Sequence, residues 1–252
     1  MAIDGVDGSQ TVVAFAARLA KQFSASIICY DAVDVAGEAE PVFAEARGLV
    51  LQRDEPTGSP AGAILDAAQA AGVSAIVIGT YDYPSSARIL LARVAVEVVR
   101  RAKLPVIVVP AAGGMTCATD LIAAIVVAFD ESESSGAALD FALDFARPSG
   151  TRVTLVHAVE EDADARSRAT ADELLMKSAA RFKRAGAEID TVLLEGPAAP
   201  SVLEYVNNHP VDLLAIGAHA GHGLERPLLG SVATDVIRGS TVPVAVLTAG
   251  AR

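Results

Sequence analysis

Two stretches of this chain can be laid over one another without a gap, and that repeat restricts the available folds more than any other feature. The apolar run SAIVIG at 74–79 lies over DLLAIG at 212–217, and ARVAVEVVRRAKLPVIVV at 92–109 lies over GSVATDVIRGSTVPVAVL at 230–247. Val94 matches Val232, Ala95 matches Ala233, Arg100 matches Arg238 and Pro105 matches Pro243. Each copy reads strand, loop, helix, strand. The outer runs are aliphatic and β-branched, suited to strands buried on both faces, and the middle has helical spacing, as at Val232, Val236 and Ile237. Duplication is the simplest account, and it divides the chain into two similar units.

The remainder of each half supplies three more strands. In the first, a short strand ends near Val6 and Asp7, with Ser9 placed to cap the helix TVVAFAARLAKQF. That strand begins abruptly at Met1, as if the chain started short of a more complete version. ASIICYDAV is a second strand, residues 34–47 are an acidic loop or short helix, and 49–53 is a weakly signalled third strand. Ser59 and Pro60 open a helix that Gly72 stops, and a fifth strand ends at Pro110. The second half returns as LIAAIVVAFDES, with Asp130 and Ser132 in the places of Asp7 and Ser9. A helix to Pro148 and Gly150, the strand TRVTLVHAVEE, a helix within 161–186, the strand IDTVLLEG and the helix APSVLEYVNNH follow. Alternating strands and helices make a parallel sheet. The expected fold class is therefore α/β, two tandem doubly wound domains at 1–110 and 120–250, joined by a small, turn-prone linker at 111–119.

Charge and composition narrow the function. A formal charge of −11 opposes binding to nucleic acid or to an acidic membrane surface, since either polyanion is repelled at long range. Hydrophobic residues make up 52%, yet no apolar run reaches the roughly 18 to 20 residues a membrane helix needs. Aromatics are only 4%, too few for a base-stacking or carbohydrate platform. Cys29 and Cys117 do not make a disulfide framework, and no signal peptide opens the chain, so the expected compartment is the cytoplasm.

The chemistry is concentrated in the second glycine loop. Gly221, Gly223 and Gly230 lie between a buried strand and the helix opening at Ser231, so free helix amides meet the end of the loop as a ready anion site. In the first copy Gly230 and Ser231 become Ala92 and Arg93, Gly221 becomes Tyr83 and His219 becomes Tyr81. The first copy reads as emptied and the second as competent. Asp130 either caps the next helix or meets a ligand, and the nearby loop favours the second. His157 at a buried strand's end reads as structural, Arg226 as a solvated loop residue, and the His219 and His222 spacing specifies no metal site. The Gly-Lys-Ser/Thr phosphate loop, the dinucleotide fingerprint and the Gly-x-Ser-x-Gly elbow do not occur, which weighs against a conventional enzyme.

In AFDES and GVDGS, in the strand ending LVHAV and in the glycine loop, the chain resembles the universal stress protein family in its tandem two-domain form. ATP-binding members carry Gly, two residues, Gly, nine residues, Gly and then Ser or Thr. Gly217, Gly230 and Ser231 keep that spacing, while the second glycine position holds Ala220, with Gly221 beside it. The resemblance implies five-stranded parallel sheets of order 3-2-1-4-5 with helices on both faces. It also implies ATP, or a related adenine nucleotide, bound with or without magnesium outside the ends of strands one and four. By position, Ala128 and Asp130 would meet the adenine and ribose and the Ala158 backbone the adenine edge. Gly217, His219, Ala220 and Gly221 would line the triphosphate, and Gly230, Ser231, Val232 and Ala233 would supply helix amides. It further implies pairing of the fifth strands as an internal pseudo-dimer, which can associate as a homodimer, and a stress-response sensor or regulator that is at most a slow ATPase. The rival expectation is a nucleotide-free scaffold acting through its dimer edge or acidic surface.

Overall fold

The computed structural model describes residues 2–3, 9–31, 50–53, 59–80, 87–110, 121–184, 187, 189–218 and 229–249. The chain divides into two compact units, Met1–Leu121 and Ile122–Arg252. Unit 1 runs β1 (Ala2–Ile3), α1 (Ser9–Phe23), β2 (Ile28–Asp31), β3 (Val50–Arg53), α2 (Pro60–Ala71), β4 (Ile76–Thr80), α3 (Ala87–Arg101) and β5 (Val106–Pro110). Unit 2 repeats the order with β6 (Ala124–Ala128), α4 (Glu133–Ser149), β7 (Arg152–Val159), α5 (Ala165–Arg184), β8 (Ile189–Glu195), α6 (Ala198–Asn208), β9 (Leu213–Gly217), α7 (Ser231–Gly239) and β10 (Val244–Leu247). Strand pairing is parallel throughout, in the order β3-β2-β1-β4-β5 in unit 1 and β8-β7-β6-β9-β10 in unit 2. The expected 3-2-1-4-5 order is therefore present in each unit. Asp7, the 34–47 stretch, Cys117 and the 111–119 linker lie outside the described residues.

Burial follows from the sequence patterning. Successive side chains on a strand point to opposite faces, so consecutive buried residues mean that helices cover both. Val106 to Val109, Leu213 to Ile216 and all of β10 are buried in this way. The outer strand β8 is half-buried to exposed along its length. Phe145 and Phe182, both fully buried, fill unit 2 beside Leu155, Leu175, Leu213 and Leu247. Helix ends obey their local signals. Ser59 Oγ accepts the Gly62 amide at 3.2 Å, Pro60 opens α2, and Gly72 closes it in the left-handed region at φ 61. Gly150 closes α4 at φ 65, so this helix runs through Pro148 to Ser149 instead of stopping at the proline. In unit 1, α1 opens at Ser9 itself, so this residue is the first of the helix and not the flanking cap.

Two contacts hold the central pair of strands in unit 2. At the amino end, Asp212 Oδ2 accepts the amides of Ala123 and Ala124 at 2.8 and 3.0 Å, and the Asp212 amide donates to the Ala124 carbonyl at 2.9 Å. One carboxylate thereby sets the start of β9 against β6. At the carboxyl end, Gly217 meets the first turn of α4. A Cβ there would lie 2.5 Å from Ser134 Oγ and 2.7 Å from the Ser135 amide nitrogen. Backbone atoms supply part of that wall, so no rotamer change makes room.

Replacing Asp212 by Ala removes a charged acceptor from two amides, and thermal or urea unfolding is expected to report a loss of about 1 to 2 kcal/mol. Gly217→Ala drives a methyl group into α4, with an expected loss of about 1 to 3 kcal/mol in the same measurement. Gly136→Ala is the matched control: it meets nothing within 4 Å and sits inside a helix, and it leaves stability unchanged or slightly raised.

Candidate functional site

The connections out of β6 and β9 leave in opposite directions, one toward β7 and the other toward β10, so the crossover, where sheets of this kind form a crevice, lies outside the carboxyl ends of this adjacent pair. Ala128, the last residue of β6, pairs with Ile216 on one side and Val156 on the other. Ala158 lies two residues further along β7, opposite Leu194 of β8. Ala128 and Ala158 are both half-buried at this rim.

Asp130 follows β6 with its side chain exposed. Its Oδ1 accepts the Ser132 amide at 3.1 Å, and its own amide donates to Ser135 Oγ at 3.3 Å. Glu131 between them is left-handed at φ 64. Ser132 is the true cap of α4: its Oγ accepts the Ser135 amide at 3.1 Å and its carbonyl accepts the Gly136 amide at 3.0 Å. Ser132 and Ser134 hydroxyls lie 3.1 Å apart, and both residues, with Ser135, are buried. Asp130 thus shapes the approach to α4 without capping it. The same turn fixes the carboxylate at the crevice. His157 Nδ1–H donates to the Phe129 carbonyl at 2.7 Å, the structural part expected of it.

The start of α7 is arranged differently. The Ala218 amide donates to the Leu247 carbonyl at 2.7 Å and the Gly230 amide to the Ala218 carbonyl at 2.9 Å, so the two ends of the glycine loop are closed on each other at the tip of β9. Gly230 takes the N-cap place with φ −62 and ψ 156 and provides no side-chain cap; its carbonyl accepts both the amide and the hydroxyl of Thr234. Ser231 is exposed, Val232 half-buried and Ala233 buried, so Ala233 faces the core and only its backbone is available to a ligand. A helix starting at a strand's carboxyl end directs its first amides toward the crevice, where the helix dipole favours an anion. Another start without a side-chain cap, that of α6 after Pro197, follows the outer strand β8, two strands from the β6 and β9 crossover.

The structure brings Ala128, Asp130, Gly217, Gly230 and Ser231 to this one end of unit 2 through the contacts above. Of the expected residues, His219, Ala220 and Gly221 lie outside those described, as do His222, Gly223 and Arg226. Gly217 has a packing reason that sequence reading missed: α4 fills the place of its side chain, so only backbone remains for a ligand. The buried Ser134 and Ser135 were also missed, although the serine-rich DESESS run marks them. In unit 1, α3 begins at Ala87, ahead of Ala92 and Arg93. The positions equivalent to Gly230 and Ser231 therefore lie inside a helix, where amides are already spent on the preceding turn. Tyr81 and Tyr83 are outside the described residues.

The sequence model of the universal stress protein family matches residues 37–110 and 122–248. A universal stress protein of Methanocaldococcus jannaschii is 39% identical over 75 residues, which is 30% of this chain and 44% of that relative, so the match spans less than half of its length. The crystal structure of a universal stress protein from Archaeoglobus fulgidus superposes with a TM-score of 0.76 over 98% of this chain and 94% of its own, at 20% identity. A second Archaeoglobus fulgidus universal stress protein, solved in complex with dAMP, is 28% identical, with a TM-score of 0.43 over 49% of this chain and 95% of its own. With both halves matched over most of their length, the chain belongs to the universal stress protein family.

Proposed function

We propose that unit 2 binds ATP or a related adenine nucleotide, with magnesium accompanying the triphosphate, and that the bound state acts as a signal in a cytoplasmic stress response. The observation that supports this reading is the start of α7: a helix N-terminus with glycine in place of a capping side chain, at the crossover of the sheet. The neighbouring α4 start, by contrast, carries a side-chain cap, Ser132 Oγ accepting the Ser135 amide. The amides of Ser231, Val232 and Ala233 take the phosphates, joined by the Gly230 backbone and by loop residues His219, Ala220 and Gly221. Gly217 contributes backbone alone. Asp130 offers its carboxylate to the ribose hydroxyls, Ala128 supplies small apolar surface, and the Ala158 backbone reads the adenine edge. Domains at 1–110 and 120–250 divide the labour, with the first retaining the fold and the second the ligand.

Hydrogen bonds from amides to a charged acceptor contribute on the order of 1.5 to 3 kcal/mol each. Three or four of them, set against the cost of association, support a Kd on the order of 10 μM. No step of hydrolysis is needed for a signal read as occupancy, and any turnover is slow.

Calorimetric titration of magnesium-ATP into the wild-type chain and Gly230→Val tests this reading. Gly230 has φ −62 and ψ 156, a backbone that valine adopts without a left-handed penalty, and a melting curve of the variant checks that it folds. The expected result is micromolar binding by the wild type and at least about a tenfold weakening in the variant, equivalent to about 1.4 kcal/mol. Equal binding by both, or binding by neither, overturns the assignment in favour of a nucleotide-free scaffold.

A further inference from the structure

The geometry points to Arg168 as the positioning residue for the base end of this site, an inference that rests on the nucleotide reading and deepens it. Beyond Val159 the chain passes through residues 160–164 into α5. Asp164 Oδ1 accepts the Ser167 amide at 2.7 Å and the Asp164 carbonyl accepts the Arg168 amide at 3.1 Å, which sets Arg168 within the first turn of α5. Its side chain then turns back over the connection it has just left. Nε donates to the Ala163 carbonyl at 3.1 Å, Nη2 to the Glu161 carbonyl at 3.2 Å, and Nη1 pairs with the Glu195 carboxylate. One planar guanidinium thereby ties two carbonyls of the connection to the end of β8.

Glu195 is a fixed post for this tie. It ends β8 opposite Val159, and its carbonyl accepts the Ser201 hydroxyl at 2.9 Å. The next amide, that of Gly196, donates to the Val159 carbonyl at 2.8 Å, with Gly196 at φ 105. The hydrogen bond from Arg168 holds the Glu195 carboxyl below its ordinary value, so the pair remains ionised at neutral pH. An exposed ion pair by itself contributes little, and Arg168 and Glu195 side chains are 32% and 55% exposed. What distinguishes this one is the pair of backbone carbonyls held by the same group.

The direction of the tie gives it a function. In the order β8-β7-β6-β9, the base lies at the carboxyl ends of β6 and β7, against Ala128 and Ala158, whereas Glu195 stands on the far side of β7. Arg168 therefore holds the 160–164 connection outward over β8 and keeps it from closing over the rim at Ala158. Releasing it adds an ordering penalty to base binding and leaves the α7 phosphate end untouched. Lysine cannot replace it, because a single ammonium on a flexible stem does not reach three acceptors in a fixed plane.

The test compares ATP, GTP and inorganic tripolyphosphate by calorimetry on the full chain as wild type, Arg168→Ala, Arg168→Lys and Glu195→Ala, with a melting curve for each. The wild type is expected to prefer ATP to GTP. In Arg168→Ala, ATP is expected to weaken about fivefold while tripolyphosphate is unchanged, so that the preference for ATP shrinks. Arg168→Lys is expected not to restore it, and Glu195→Ala to shift base selectivity in the same sense. Should Arg168→Ala fail to fold, Glu195→Ala carries the comparison. Unaltered ATP binding in the folded variants overturns the inference, and so does equal weakening of ATP and tripolyphosphate. A wild type that binds neither ligand overturns the nucleotide reading, and this inference with it.

Discussion

At the tip of β9 two helix starts share one small space, and their different treatment determines what that end of the sheet can do. The first turn of α4 presses against Gly217 so closely that a side chain there would overlap Ser134 and the Ser135 backbone. That start has a side-chain cap, Ser132 Oγ accepting the Ser135 amide. The loop leaving β9 is drawn back by the Gly230 and Ala218 bond, and α7 begins from a residue with no side chain to cap it. Buried parallel strands need helices on both faces, and helices that follow strands must start at the carboxyl edge. Only the capping chemistry then separates a closed start from one able to receive an anion.

The duplicated halves express this difference along one chain. Both units keep the strand order, and matched residues such as Pro105 and Pro243 stand just before the fifth strand of each. Divergence is concentrated at the glycine loop. Substitution of Ala92 and Arg93 for Gly230 and Ser231 is the sequence's reason to read the first copy as emptied. The earlier start of α3 adds a deeper reason, since continuing a helix through a position removes its free amides whatever side chains are present.

Much of the fold is legible in local chemistry. Ser59, Pro60 and Gly72 delimit α2 because caps and left-handed stops act within a few residues of themselves, and short aliphatic runs such as LLAI, bounded by turn residues, read as strands covered on both faces. The crossover of the sheet is legible too, because its place follows from strand order. Contacts made between distant segments are not. Gly217 reads as a ligand-lining glycine until α4 is seen in its side-chain space, and Asp212 reads as a strand boundary until its carboxylate is found on Ala123 and Ala124. Arg168 carries no motif, since its three acceptors come from the preceding loop and a neighbouring strand. Pro148 misleads in the opposite direction: it suggests a stop, but the helix ends only when Gly150 supplies a left-handed residue.

The central claim, that the first amides of α7 receive phosphate, is tested most directly by proton–nitrogen correlation spectra of the labelled chain titrated with tripolyphosphate. The account predicts saturable shifts that are largest at Ser231, Val232 and Ala233, with the Ala198 and Ala199 amides at the start of α6 unmoved. Shifts absent from α7, or shared equally by the two helix starts, would contradict it.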